Sequence, residues 1–207
     1  MPLFSQGAPR YPLSEDRLFI GEGTPSEISW LNKSFQEFGN YADSYQISAL
    51  NLIQSALENE LYRDFHIYPA IFLIRQYIEL RLKELIQGLN HLENHGFAFP
   101  TGHDIQGLWK HFLTKRQTLN FVEIEETHFE EMQQLISELS AVDPGSFSFR
   151  YPVDIQGVKT QKLEYVNLEN LKETFIRMCF VLDGYSDAIQ MSIEFTREQL
   201  NSMYSNF

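Results

Sequence analysis

From Ile67 to Leu92 the chain reads IYPAIFLIRQYIELRLKELIQGLNHL. Apolar residues at Ile71, Ile74, Ile78, Leu82, Leu85 and Leu89 step by three and four, which predicts one face of a long helix. Leu73, Tyr77 and Leu80 widen that face, so the helix is expected to be covered on more than one side. Pro69 suits its first turn, where a missing N–H costs nothing. Arg75, Glu79 and Lys83 recur every four residues as one charged line along this apolar rod. Such a line is either a salt-bridged, solvated edge or a face turned to a partner or a site.

The flanking pattern predicts further helices. Thr24 or Ser26, with Pro25 beside them, is placed to start one that breaks at Gly39. A second helical period runs through Tyr41, Tyr45, Ala49, Leu52, Ile53, Ala56 and Leu57, and Asp64 to His66 reads as its link to the central rod. After Leu92, Gly96 and Pro100 end the helix, and His103-Asp104 opens a short third one with Ile105, Leu108, Trp109 and Phe112 inward. Ile124 to Val142 predicts a fourth helix, using Phe129, Met132, Leu135, Ile136 and Leu139. Leu168, Leu171, Phe175, Met178, Leu182, Tyr185 and Ile189 predict a last long one capped by Asn167, with an apolar stripe fit for a core or a dimer seam.

Between those two helices, Phe147, Phe149 and Tyr151 alternate with Ser148 and Arg150, the period of a strand. Leu163, Tyr165 and Val166 can return it, so a small β-hairpin is expected over 147–166. The fold class expected is all-α: a bundle of four to five long helices with that hairpin inserted. Residues 1–24, rich in Pro and Gly, read as an extended lead-in in which Leu18, Phe19 and Ile20 could dock as a short strand, and 25–207 as one helical domain.

Composition narrows the function. The 207 residues carry a net charge of −12 with only 16 Lys and Arg, which argues against a general DNA-binding surface. An acidic surface instead favours solubility or a basic partner. The single cysteine, Cys179, lies in a helical apolar pattern and points to a reducing compartment. No long uncharged apolar run and no signal-peptide layout occurs, so no membrane association and a cytoplasmic location are expected.

Familiar catalytic signatures are lacking: no nucleophile elbow, HExxH, Walker loop or paired-Cys motif is present, and the GEG at 21–23 reads as a turn. His91 and His95 are spaced to share a helix face, but no third ligand follows, so neither a metal nor another cofactor is expected.

The run FLIRQYIELRLKELI at 72–86, followed by GHDIQGLW at 102–109, resembles the HEPN superfamily of helical-bundle proteins. Gly102, His103, Asp104, Ile105 and Leu108 carry the helix opening of those domains, and DPGSFSFRYPVD at 143–154 looks like the insertion of an uncharacterised bacterial branch. The resemblance spans roughly residues 40 to 195. It implies a bundle of four or five helices, a homodimer through long-helix faces, and a role in RNA cleavage, toxin–antitoxin pairs or phage defence.

Nuclease members of that superfamily carry an Arg followed four to six residues later by His. Here Arg63 and His66 are separated by two residues, Arg81 and His91 by nine, and Arg116 and His128 by eleven. A non-catalytic or divergent module contacting a protein or RNA partner is therefore the leading expectation. A metal-independent ribonuclease could instead assemble Arg75, His103 and Arg150, with Glu79, Lys83 and Asp104 as binding residues, since such cleavage needs a base and cations. The plainer alternative for the same residues is structural: Asp104 caps its helix or pairs with Arg75, while His103 and Arg150 tie loop and hairpin to the bundle. Charge alone also allows an acidic immunity or antitoxin protein.

Overall fold

Among the described residues five helices follow one another: α1 Glu37–Glu58, α2 Glu60–Leu92, α3 Ile105–Arg116, α4 Thr127–Val142 and α5 Leu168–Tyr204. The computed structural model describes residues 11–31, 37–117 and 127–204. The chain divides into two compact units, Met1–Phe35 and Gln36–Phe207, and all five helices belong to the second.

The first unit holds turns. Thr24 and Glu27 form a reciprocal capping pair: Thr24 N and Oγ1 both donate to Glu27 Oε2, and Glu27 N donates to Thr24 O. These hydrogen bonds hold the Glu27 carboxyl below its ordinary pKa. The helix expected from Ser26 does not follow through residue 31, and residues 32–36 lie outside the described part. Leu18, Phe19 and Ile20 are exposed and form no strand.

In the second unit α2 is the axis, as its apolar period predicts. Ile71, Ile74, Ile78, Leu82, Leu85 and Leu89 are all buried, with Tyr77 and Ile86 beside them. α1 lies along it through Ile53 and through Ala42, Ala49 and Ala56, small residues that let the two helices come close. Gly39 belongs to α1 and does not break it, and the Glu84 side chain passes 2.9 Å from where a Cβ would stand.

α2 also starts earlier than its apolar pattern suggests. Asn59 alone joins it to α1, its Oδ1 accepting the Leu61 amide at 3.0 Å, so Asp64–His66 is helical and Pro69 sits inside the helix. The apolar residues expected on α3 are the buried ones, Ile105, Leu108, Trp109 and Phe112. Phe129, Met132 and Ile136 do the same for α4, whose expected start at 124–126 falls outside the described residues. Phe112 and Phe129 both meet the Tyr185 ring of α5, at 5.0 and 6.0 Å between centroids.

The expected hairpin is not formed: among the described residues there is no strand. Asp143 Oδ1 accepts the amides of Phe147 and Ser148 at 2.6 and 2.8 Å, and this winds the segment into a turn. Arg150 N and Tyr151 N then donate back to Phe147 O, so the alternating aromatics lie on a coil rather than a ladder. One antiparallel bridge, Val153 to Lys159, is all the β structure seen here, closed over an Asp154 turn. The described residues contain no helix long and apolar enough to cross a membrane.

The α2–α5 crossing gives a direct test of packing. A Cβ on Gly88 would stand 2.5 Å from Ile189 Cγ2, a stiff β-branched methyl. Gly88→Ala should therefore lower stability by about 1–3 kcal/mol in chemical denaturation, although helix propensity alone would raise it by about 1 kcal/mol.

Candidate functional site

The charged line on α2 is neither a solvated edge nor an open face: Arg75 is 0% exposed, and Glu79 and Lys83 are buried with it. Glu79 is the hub. Its Oε2 accepts from Arg75 Nη1 at 3.2 Å, and its Oε1 accepts from Lys83 Nζ at 2.8 Å and lies 2.8 Å from His103 Nδ1. A carboxylate only accepts, so His103 carries a proton on Nδ1 in this contact. The His103 side chain is 68% exposed.

Arg75 reaches back to the same loop, Nη2 donating to the His103 carbonyl. Burial lowers its pKa, while Glu79 and then Asp143 pull the other way and keep the charge compensated. Asp143 is itself fully buried. Its Oδ2 and Arg75 Nε have no hydrogen-bond partner among the described residues, so these two charges act on each other at longer range. Two cations and two carboxylates thus balance beneath the His103 ring.

The loop that carries His103 is shaped for this. Gly102 takes φ 98°, which an L side chain adopts only at a cost, and the chain turns there into α3. Asp104 caps α3, its Oδ1 accepting from Gln106 N at 3.1 Å, and the absent Cβ of Gly107 leaves room for the carboxylate. Arg150 joins by a relay. Its Nε donates to Ser146 O at 2.5 Å, and Ser146 Oγ accepts from Gln76, next to Arg75, at 2.7 Å. The Arg150 guanidinium stands 5.8 Å from the Phe72 ring and 5.6 Å from Tyr151.

Arg75, Glu79, Lys83 and His103 therefore meet directly, Arg150 is linked to the same stretch of α2, and Asp104 serves its helix. The sequence reading missed two features. Asp143 entered only as the first residue of the 143–154 run, and nothing local marks it as the second buried carboxylate. Arg81, on another side of α2, clamps three helices: it binds Asp43 of α1, Glu84 at 2.5 Å and Asp183 of α5 at 3.0 Å. Asp183 also accepts from the Tyr77 hydroxyl at 2.6 Å and from Gln46 Nε2 at 3.1 Å. Against desolvation, which would lower it, Glu84, Tyr77 and Asp183 raise the Arg81 pKa above its ordinary value. Beside this clamp, burial pushes the Cys179 thiol up to about 12.

The remaining histidine candidates have other partners. His91 stacks on Phe97 at 4.4 Å, and His95 lies 3.3 Å from Glu93. Among the described residues no group of three His, Cys, Asp or Glu is placed to hold a metal. No protein-family model, curated protein or solved structure matches the chain.

Two measurements check these networks. Glu79→Ala strands Arg75 and Lys83 together, so it should cost about 3–5 kcal/mol in denaturant unfolding, clearly more than Lys83→Met, which removes one cation and leaves Glu79 paired. Cys179 and Tyr185 both titrate higher when folded, each at about 12, because burial disfavours their anions. Their contribution is complete below the unfolded-state values and is lost as pH rises toward 12. Stability should therefore decline through alkaline pH, and Cys179→Ala should flatten the decline between about pH 9 and 11.

Proposed function

We propose that this chain is a HEPN-like helical module of a bacterial defence or toxin–antitoxin system, non-catalytic or divergent as a nuclease, that acts by binding a protein or RNA partner. The observation that carries this reading is the fate of Arg75. With no exposed surface and both terminal nitrogens on Glu79 and the His103 carbonyl, it braces the loop and does not face a phosphate. A cation that stabilises a developing phosphorane has to reach it.

The ribonuclease reading keeps one specific observation in its favour. His103 presents Nε2 to solvent with Nδ1 fixed by a buried carboxylate, the arrangement of a general base. Incubating the pure chain with total RNA, beside His103→Ala and Arg150→Ala, separates the two. The module reading expects RNA of unchanged length in all three samples, retarded on a native gel if RNA is the partner and free if a protein is. Shortening by the wild type that disappears in His103→Ala would overturn it in favour of the nuclease.

A further inference from the structure

The chain has six histidines, all among the described residues, and they are held in different ways. His66 and His91 are half-buried and stack on Tyr62 and Phe97, and His111 is exposed on α3. The other three turn Nδ1 toward a carboxylate. His95 lies 3.3 Å from Glu93, and His128 lies 3.3 Å from Glu131, whose side chain is 71% exposed. His103 lies 2.8 Å from Glu79, whose side chain is 3% exposed and is pinned through its two oxygens by Arg75 and Lys83. His103 alone combines an open ring with a buried, immobile acceptor behind it.

That contact decides which nitrogen can react. Glu79 only accepts, so when the ring holds a single proton, that proton stays on Nδ1 and the lone pair lies on Nε2. A carboxylate on one imidazole nitrogen also raises the basicity of the other.

We propose that His103 Nε2 is a phosphoryl-acceptor site, modified covalently by a donor of the phosphoramidate class, with Glu79 as its positioning residue. The proposal needs neither a macromolecular partner nor RNA cleavage, and it stands or falls apart from both.

In the transfer, the Nε2 lone pair forms a bond to phosphorus while the P–N bond of the donor breaks. The leaving nitrogen is protonated in the donor, so it departs with the bonding pair as a neutral amine. The His103 ring keeps its Nδ1 proton and becomes cationic as it takes the phosphoryl group. Histidine is among the side chains that form such covalent intermediates. Here the positive charge develops 2.8 Å from a carboxylate whose place is set before the reaction begins, which stabilises the transition state at no cost in reorganisation.

The surroundings also suit the product. Lys83 Nζ donates to the same Glu79 oxygen that His103 Nδ1 meets, so a second cation stands beside the modified ring. His103 directly precedes Asp104, the N-cap of α3, and the roughly two negative charges of a phosphoryl group are favoured at that end of a helix. Asp104, the neighbouring anion, is engaged on Gln106 N.

Incubating the full chain with potassium phosphoramidate tests the proposal, each histidine being followed by mass spectrometry of peptides kept at alkaline pH. His103 should be modified about ten- to a hundredfold faster than His95, His111 and His128. Phosphorus NMR should show the Nε2 isomer from the earliest times, as a signal missing from His103→Gln. Glu79→Gln, with folding verified by circular dichroism, should slow His103 by about tenfold or more and yield both ring isomers, while His111 keeps its rate. A wild-type His103 that reacts no faster than His111, or that carries phosphorus on Nδ1, would sink the proposal. So would a folded Glu79→Gln with the rate and isomer of the wild type. The ranking of histidines within the wild type needs no variant, so it decides the matter even if Glu79→Gln does not fold.

Discussion

Four charged side chains of α2, Arg75, Glu79, Arg81 and Lys83, are buried, and the arrangement of the rest of the bundle follows from satisfying them. A buried ion left alone costs several kcal/mol, so each needs a partner: Glu79 and Glu84 lie on α2 itself, and the remaining partners come from other elements. Arg81 can be met only if α1 brings Asp43 and α5 brings Asp183 to the same level of the helix. Glu79 takes its third contact from the loop before α3, through His103. Apolar packing would accept α1 or α5 displaced along α2 by a turn, because aliphatic side chains interchange readily. The ionic contacts would not. In this fold the core supplies the driving force, and the two polar networks fix where each helix stops.

The two networks differ in what they leave at the surface. Around Arg81 the carboxylates outnumber the cation three to one, and all three belong to helices, so that cluster is a clamp between rigid bodies. Around Glu79 the contributing groups come from α2 and from the loops near 103 and 143–150, and the outermost member is an exposed imidazole. Loops are where a scaffold offers chemistry to a partner. His103 is held by its Nδ1 but free at its Nε2, and this makes the loop site the more accessible of the two.

Much of the fold was legible because long apolar periods survive without knowledge of their partners. Ile71 through Leu89 and Leu168 through Ile189 announce their helices and their buried faces from spacing alone. The start of α2 did not, because Asp64–His66 puts no side chain fully into the core: Asp64 and Phe65 are exposed and His66 is half-buried. Its helicity comes from the Asn59 cap and from continuity with later turns. The aromatics at 147, 149 and 151 misled for a different reason: their alternation is real, but Asp143, four residues upstream of the first, captures two amides and coils the segment before a ladder can form. The site was half legible. Arg75, Glu79, Lys83 and His103 could be chosen by residue type and spacing. Their burial could not be read, since it depends on contacts 24 to 70 residues apart in the chain, from His103–Glu79 to Gln76–Ser146.

Polarity in this molecule is partly inverted, and the inversion bears on how it associates. Ions sit inside along α2, while Phe180, Met191 and Phe195 face water along α5. A net charge of −12 keeps such a chain dispersed, since like-charged molecules repel before their apolar patches can touch at random. That repulsion fades within roughly a Debye length in salt, about 10 Å at 0.1 M, so it filters loose encounters more than close ones. A contact able to overcome it has to bury apolar surface in register. An acidic surface and an exposed apolar helix face are then two parts of one arrangement: the charge suppresses indiscriminate contact at the apolar side chains that the fold leaves in water.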